Sequence, residues 1–406
     1  MKAVIVGAGV CGAATAMALR RAGIDAVVYE ARHPAHGEKG SYLTVATNGL
    51  DALGAIDADA CVVNAGFRTD RTLLFSGSGR FLGAVAVGAT RPGAAGSHTL
   101  KRAHLHRALH DEAAARGVPI ECGKRLVGAD VTGGGVRARF ADGTEATGDL
   151  LIGCDGVHSV TRTIIDRQAP APRYVGLLNF GGYTAGVSAG TAGAWHMIFG
   201  AKAFFGYVPD LRGGTVWFAN VPRHAATASE RAATSDTEWR RMLIELCMSD
   251  RGPAVELIES GTLQLAAENT HDLPSVPVWH RGPMIIIGDA AHAPSPSSGQ
   301  GASLALEDGV MLAKCLRDVA EVRKAFTTFE RLRRHRVERI VRHGARSSST
   351  KAAGPIGRIM RDTLLPFVFR HVVTEKSLAW MYDHDVGWEN RLVPGGTQGN
   401  PGVQGG

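Results

Sequence analysis

The sequence predicts an α/β fold in two parts: a parallel-sheet domain built on a βαβ unit, and an antiparallel sheet inserted into it, with helices at the C-terminal end. Three observations predict this. Residues 2–30 read as strand, glycine turn, helix and strand. Two later strand ends carry acidic-glycine turns, "CDG" at 154–156 and "GD" at 288–289. Between them, residues 170–277 change texture to short aromatic-rich strands separated by turn residues.

A chain of 406 residues is long enough for two domains, and 45% apolar with 20% charged residues is a globular composition. The 52 glycines cluster in loops without a fixed period, which excludes collagen-like and repeat architectures. Cys11, Cys61, Cys122, Cys154, Cys247 and Cys315 form no CxxC pair, so neither a metal site nor a disulfide framework is expected. No apolar run reaches transmembrane length, and spaced glycines mark the apolar N-terminus as folded structure rather than a signal peptide. A cytoplasmic protein is expected. The net charge of +7 arises largely in "ERLRRHRVERIVRHGAR", Glu330 to Arg346. Leu332, Val337, Ile340 and Val341 interleave with the arginines there, as on a helix with one buried side and a solvated basic face. Aromatics for base stacking are missing from it, so nucleic acid is not an expected partner.

The elements follow in order. "KAVIVG", "CGAATAMALRRAG" and "DAVVYE" form the βαβ unit. "KRAHLHRALHDEAAARG" reads as a helix with Leu105, Leu109 and Ala113 on one face. "RLVGADVTGGGVRARFADGTEATGDLLIGCDG" reads as a hairpin series turning at "TGGG" and "ADG", with Val136, Ala138 and Phe140 alternating against polar neighbours. "NFGGYTAGV", "WHMIFG", "AFFGYVPD" and "GGTVWFANV" supply the inserted strands, interrupted by one helix, "DTEWRRMLIELCM". The expected division is residues 1–168 with 278–345 for the first domain, 169–277 for the inserted sheet and 346–392 for a C-terminal helical segment. Residues 393–406 have no core-forming side chains and read as a disordered tail. "IGRIMRDTLLPFVFRHVV", Ile356 to Val373, reads as a packed helix interrupted at Pro366, with contact to a membrane surface as the second reading.

"GAGVCG" lies between the first strand and helix, and Glu30 ends the second strand. Gly7 permits the tight turn, Gly9 lets the backbone approach a pyrophosphate, and Gly12 lets the helix pack on the strand. Val10 and Cys11 open the helix, whose free N–H groups and positive dipole end favour phosphate. The Glu30 carboxylate suits ribose hydroxyls. This spacing marks a dinucleotide site without separating one dinucleotide from another.

Together, "GAGVCG", "CDGVHSVTR" and "GDAAHAPSPSSGQG" resemble the class A FAD-dependent monooxygenases, the single-component aromatic hydroxylases related to para-hydroxybenzoate hydroxylase. The resemblance spans roughly residues 1–165 and 280–345. It implies a Rossmann-like FAD-binding domain of the glutathione reductase type with an inserted antiparallel substrate sheet. It makes Asp289 the ligand to the ribityl or pyrophosphate part of FAD. Gly299, Gln300, Gly301, Ala302 and Ser303 become the helix N-terminus facing the flavin pyrimidine edge, and Pro296 lies beside the reacting edge. Arg102 matches an FAD-contacting Arg, Leu126 a backbone contact to adenine, and Asp155 with Gly156 the motif assigned to FAD and NADPH. Ser303 stands where many relatives have Asn. Ala31 stands where Arg is common, with Arg32 one position later.

The reaction implied is reduction of FAD by NADPH or NADH, addition of O₂ to give C4a-hydroperoxyflavin, and hydroxylation or epoxidation of an aromatic, polyketide or isoprenoid substrate. A flavin reductase of prenyl double bonds and a non-catalytic FAD-binding module are the alternatives. The absence of a second GxGxxG fits transient NAD(P)H binding. The expected partner is a small lipophilic or aromatic substrate, with the chain a monomer or homodimer. Candidates for the substrate wall are His196, Tyr207 and Trp217, with Phe205 and Phe218; strand alternation allows only some of them to face it. His292, Asp308, Cys11 and Cys154 read as packing residues.

Overall fold

The computed structural model describes residues 1–33, 40–88, 94–351, 362–364, 366–367 and 375–392. The expected tail at 393–406 and most of the segment 356–373 lie outside the described residues.

A six-stranded sheet carries the first part, in the order His280–Arg281, Met284–Ile286, Leu150–Gly153, Lys2–Val6, Asp25–Glu30 and Ile120–Cys122. All its neighbours are parallel except the edge pair His280–Arg281 with Met284–Ile286. Ala3, Val4, Ile5, Leu150, Leu151 and Ile152 are buried, the continuous apolar run expected of a sheet covered on both faces. The helix Val10–Arg21 packs on it, and Arg102–Ala115 and Gly301–Asp318 pack against that helix. The hairpin series forms a separate three-stranded antiparallel sheet, Leu126–Thr132, Gly135–Phe140 and Glu145–Gly148, turning where predicted. A second small sheet pairs His98–Lys101 with Tyr42–Val45 and Phe67–Arg68.

The large antiparallel sheet has seven strands, in the order Thr262–Asp272, Arg173–Thr184, Thr215–Pro222, Phe204–Pro209, Ala194–Phe199, Arg71–Ser76 and Phe81–Ala86. The last two come from well before residue 169, so the expected boundary leaves out part of the sheet. Their sequence, "RTLLFSGSGRFLGAVA", is itself a strand–turn–strand pattern. Arg71–Ser76 joins through a parallel pairing with Ala194–Phe199, a long-range contact that no local pattern announces. One face of the sheet packs under the helices Asp236–Cys247 and Ala254–Ser260, with Phe180, Phe205, Trp217, Trp239, Leu243 and Leu257 in one core. A capping box between Ser235 and Glu238 starts the longer of these helices.

Several contacts join the sheet to the parallel-sheet part, three of which bear on the site. Gly181 lies against Ser41, where an added Cβ would sit 3.7 Å from the serine Cβ. Trp195 Nε1 donates to Thr44 Oγ1 at 3.2 Å and Thr99 Oγ1 at 3.1 Å. The Leu273 N–H donates to the Ala293 carbonyl at 2.8 Å. These contacts hold the sheet over the glycine-rich stretch 288–301.

The basic segment forms part of the helix Val322–Lys351. Val337, Ile340 and Val341 are buried as expected, and so is Arg333, with no exposed surface. The solvated face holds for Arg331, Arg339 and Arg342, which are exposed, and is corrected for Arg333 and Arg336. Arg333 and Arg336 turn inward because two acids, Glu307 and Asp308, wait for them in the core.

Candidate active site

The first glycine turn is shaped by steric necessity. Gly7 has φ +94°, and a Cβ there would lie 2.6 Å from the Cys154 carbonyl oxygen. At Gly12 a Cβ would lie 1.9 Å from the Gly7 oxygen, so the helix closes on the turn only without a side chain. Gly9 is different: a Cβ there would meet nothing within 4 Å. The open space at Gly9 adjoins the first turn of the helix Val10–Arg21, where Val10, Cys11 and Gly12 carry N–H groups that the helix leaves unpaired and no acid intrudes. Glu30 Oε2 accepts the Ala8 N–H at 2.7 Å and Oε1 accepts the Arg32 N–H at 2.9 Å. Arg32 thus orients Glu30 through its backbone, with its own side chain exposed. Sequence reasoning missed His110, whose Nε2 lies 2.8 Å from the Ala8 carbonyl oxygen and whose ring centroid lies 4.3 Å from that of His106, the rings tilted by 30°. The i, i+4 spacing in "HLHRALH" is the signal for that pair. Leu126 is buried at the start of its strand, beside Lys124, whose N–H donates to the Glu30 carbonyl at 2.8 Å.

Asp155 spends its carboxylate on its own loop, accepting from the Ser159 hydroxyl, the Thr161 N–H at 2.9 Å and the Thr161 hydroxyl at 3.0 Å. What this motif leaves open is backbone: Gly156 has φ +77° and empty space where a Cβ would stand. Arg162 is buried and donates to the Ala290 carbonyl at 3.0 Å and the Val157 carbonyl at 2.8 Å. It ties the second and third motifs together, and burial lowers its pKa from the ordinary arginine value.

In the third motif Gly288, at φ +59°, fits against Cys11, whose Sγ would lie 2.9 Å from a Cβ there. Asp289 follows, half-buried and without a hydrogen bond among the described residues. Burial raises its carboxyl above the usual carboxylate range, and the Arg102 guanidinium, at the exposed start of its helix, pulls the other way. Pro296 opens a 3-10 turn that ends at Gly299, φ +63°. Gln300 then caps the helix Gly301–Asp318. The first intrahelical bond there runs from the Leu304 N–H to the Gln300 carbonyl at 2.9 Å, leaving the N–H groups of Gly301, Ala302 and Ser303 without intrahelical partners. The Ser303 hydroxyl is already engaged: it accepts the Ala46 N–H at 3.0 Å and is fully buried. Gly49 makes room for this approach, since a Cβ there would lie 2.8 Å from the Ser303 Cα. Asn48, a residue missed by sequence reasoning, donates to Gln300 Oε1 at 3.0 Å and Glu307 Oε1 at 2.6 Å.

His292 and Asp308 pack as expected. His292 Nε2 lies 2.6 Å from Asp308 Oδ2, and both side chains are buried. A hydrogen bond with Cys154, joined by burial, raises the Cys11 thiol well above its ordinary value, which suits an inert packing residue.

The residues present fit FAD. A backbone approach lies open at Gly9, Asp289 offers a carboxyl without a hydrogen bond among the described residues, and N–H groups without intrahelical partners begin two helices packed on one another. Glu30, Asp289 and the backbone at 301–303 are the groups that would hold the ribose, the ribityl chain and the ring edge.

The substrate wall differs from expectation. His196, Tyr207 and Trp217 lie on the helix-covered face, together with Phe205. Trp217 is buried and donates to Thr184 Oγ1 at 3.1 Å. Tyr207 belongs to the same core as Trp217, and its ring stacks with His196, which in turn stacks on Phe75. Strand alternation places their neighbours on the other face: Phe218, Gly206 and Met197 there are cross-strand partners of one another. Of the sequence candidates, Phe218 alone lies on the face opposite the helices, beside Trp195. Met197 and Phe218 are half-buried on that face, whereas Ile198, Trp217 and Ala219 on the other are buried.

The FAD binding domain family matches residues 1–344. The chain is 31% identical to an aurachin C monooxygenase/isomerase of Stigmatella aurantiaca, over 83% of this chain and 86% of the relative. It is 30% identical to an FAD-dependent urate hydroxylase of Klebsiella pneumoniae, over 84% and 88% of the two chains. Its fold superposes with a TM-score of 0.81 on Klebsiella pneumoniae HpxO complexed with FAD and uric acid, at 24% identity over 94% of this chain and 97% of the other.

Proposed function

The chain belongs to the class A FAD-dependent monooxygenases, and from that premise we propose that it oxygenates a small aromatic or polyketide molecule held against Phe218 and Met197. It is an FAD enzyme that takes electrons from NAD(P)H. Bound FAD supplies the two-electron chemistry and the activation of O₂. The protein's own part is to bind, orient and exclude water. Asp289 accepts hydrogen bonds from the ribityl hydroxyls, and Arg102 steadies the phosphate side. The N–H groups of Gly301, Ala302 and Ser303 favour negative charge on the ring edge. No side chain of the wall is assigned as a base.

The observation that supports this reading best is the junction of sheet and cradle, where Leu273 binds Ala293 and Trp195 binds Thr44. It sets a half-buried apolar wall opposite the free helix N-terminus. All six cysteines are free thiols, which supports a cytoplasmic location. No helix among the described residues is long and apolar enough to cross a membrane.

The test is NAD(P)H oxidation across a panel of phenols, quinones and polyenes, coupled to product mass under ¹⁸O₂. One labelled oxygen in the product is expected. Substrate reduced without O₂ would overturn the oxygenase reading in favour of a reductase.

A further inference from the structure

The wall opposite the cradle is almost without charge. Phe204 and Phe218 lie 6.0 Å apart between ring centroids, Phe199 contacts Phe204 edge-on, and Phe218 and Met197 close over Gly206, where a Cβ would lie 2.3 Å from the Phe218 ring. Two polar side chains interrupt it. Asn179 and Asn220 are cross-strand partners, next to the pair Phe180 and Ala219, which belongs to the helix-covered core. Alternation therefore puts both asparagines on the cradle side. Asn220 Nδ2 donates to Asn179 Oδ1 at 3.0 Å, which fixes the orientation of the Asn179 amide. Asn179 Nδ2 then has no protein acceptor among the described residues, and the side chain is half-buried. The charged residue in register with Asn179 is an acid, Glu268.

We propose that Asn179 is a specificity-determining donor, held by Asn220, and that the substrate is an uncharged aromatic ring system carrying a carbonyl or hydroxyl oxygen that accepts from Asn179 Nδ2. Two physical facts select this class. An aromatic wall favours a flat ring. A carboxylate buried there would face no cation among these wall residues and would meet Glu268, whereas a neutral oxygen satisfies an otherwise idle donor. The inference rests on the functional reading above, because it takes this face as the substrate side.

Three ligands of one shape test it: 1-naphthol, naphthalene and 1-naphthoate, titrated into the FAD-loaded protein without reductant and followed by flavin absorbance. Naphthol should bind about tenfold more tightly than naphthalene, the worth of one hydrogen bond, and naphthoate more weakly than either. Asn179→Leu and Asn179→Ala, checked for retained FAD colour, should erase the difference between naphthol and naphthalene. Equal or tighter binding of naphthoate, an unchanged naphthol preference in both variants, or no response to any ligand would overturn the proposal. Because no turnover is involved, a protein that discriminates these ligands but forms no oxygenated product would refute the oxygenase reading alone.

Discussion

Arg333 Nε donates to Asp308 Oδ1 at 2.7 Å, and neither side chain has any exposed surface. The same guanidinium binds Glu307, which also accepts from Arg336 at 2.9 and 2.7 Å. Burial alone would raise both carboxyls; Arg336 and Arg333 hold Glu307 well below the usual carboxylate range, and His292 and Arg333 lower Asp308. Asp308 in turn accepts the Gly288 N–H at 2.9 Å, and Glu307 accepts from Asn48. The network thus reaches both the third glycine motif and the helix Thr47–Gly54.

Removing one member leaves its partners charged and dry. Arg333→Leu should therefore destabilise the fold by about 3–5 kcal/mol, as expected when a buried pair is broken from one side. Chemical denaturation of the apoprotein measures it. A loss below about 1 kcal/mol would show that the cluster is solvated in solution.

The C-terminal segment is tied to the same cluster and should respond to acid. Arg336 donates to the Trp380 and Met381 carbonyls at 2.7 and 2.8 Å. His384 Nε2 lies 3.4 Å from Arg333 Nη1 and 3.8 Å from Glu307 Oε2. Burial, joined by the repulsion of Arg336 and Arg333 and opposed by Glu307 and Asp385, lowers the His384 pKa to about 4. A histidine whose folded pKa lies below its unfolded value of about 6.5 contributes stability that is complete above that value. The contribution is lost as pH falls from there towards the folded value. The hydrogen-exchange protection of residues 378–392, taken relative to the intrinsic exchange rate at each pH, should fall over this interval, and His384→Phe should flatten the response. The same acid profile in both proteins would refute the assignment.

Two glycines of one turn should fail in different ways. Gly12→Ala places a methyl group on the Gly7 carbonyl and should cost the apoprotein about 2 kcal/mol or more, read from its melting curve. At Gly9 a Cβ would meet nothing within 4 Å, so the Gly9→Val apoprotein should melt within about 0.5 kcal/mol of the parent. Its FAD affinity should nevertheless fall by at least about a hundredfold, since the side chain occupies the path of the pyrophosphate. Undiminished FAD binding by Gly9→Val would disprove the role given to that opening.

The cradle was legible because its constraints are local. Gly7, Gly9 and Gly12 act on neighbours a few residues away, and the strand–turn–helix order around them is written in periodicity. The wall was legible only as composition. His196, Tyr207 and Trp217 looked suited to a pocket by residue type, yet one position of alternation separates Trp217 in the core from Phe218 on the opposite face. Which face receives helices depends on the packing of Trp239, Leu243 and Leu257, more than twenty residues away. The role of Ser303 was hidden in the same manner, because its partner, the Ala46 N–H, lies 257 positions earlier.

The sequence by itself determined the βαβ cradle and its dinucleotide site, since short-range sterics and helix-end electrostatics dictate those features, and the resemblance of its three motifs named FAD. Tertiary structure alone decided which sheet face receives the substrate, that Arg71–Ser76 and Phe81–Ala86 complete that sheet, and that Arg333 is a core residue. Strand partners and buried ion pairs are chosen by the free energy of the whole packed chain. A guanidinium takes the interior only where two carboxylates, placed by another helix, repay the loss of its water.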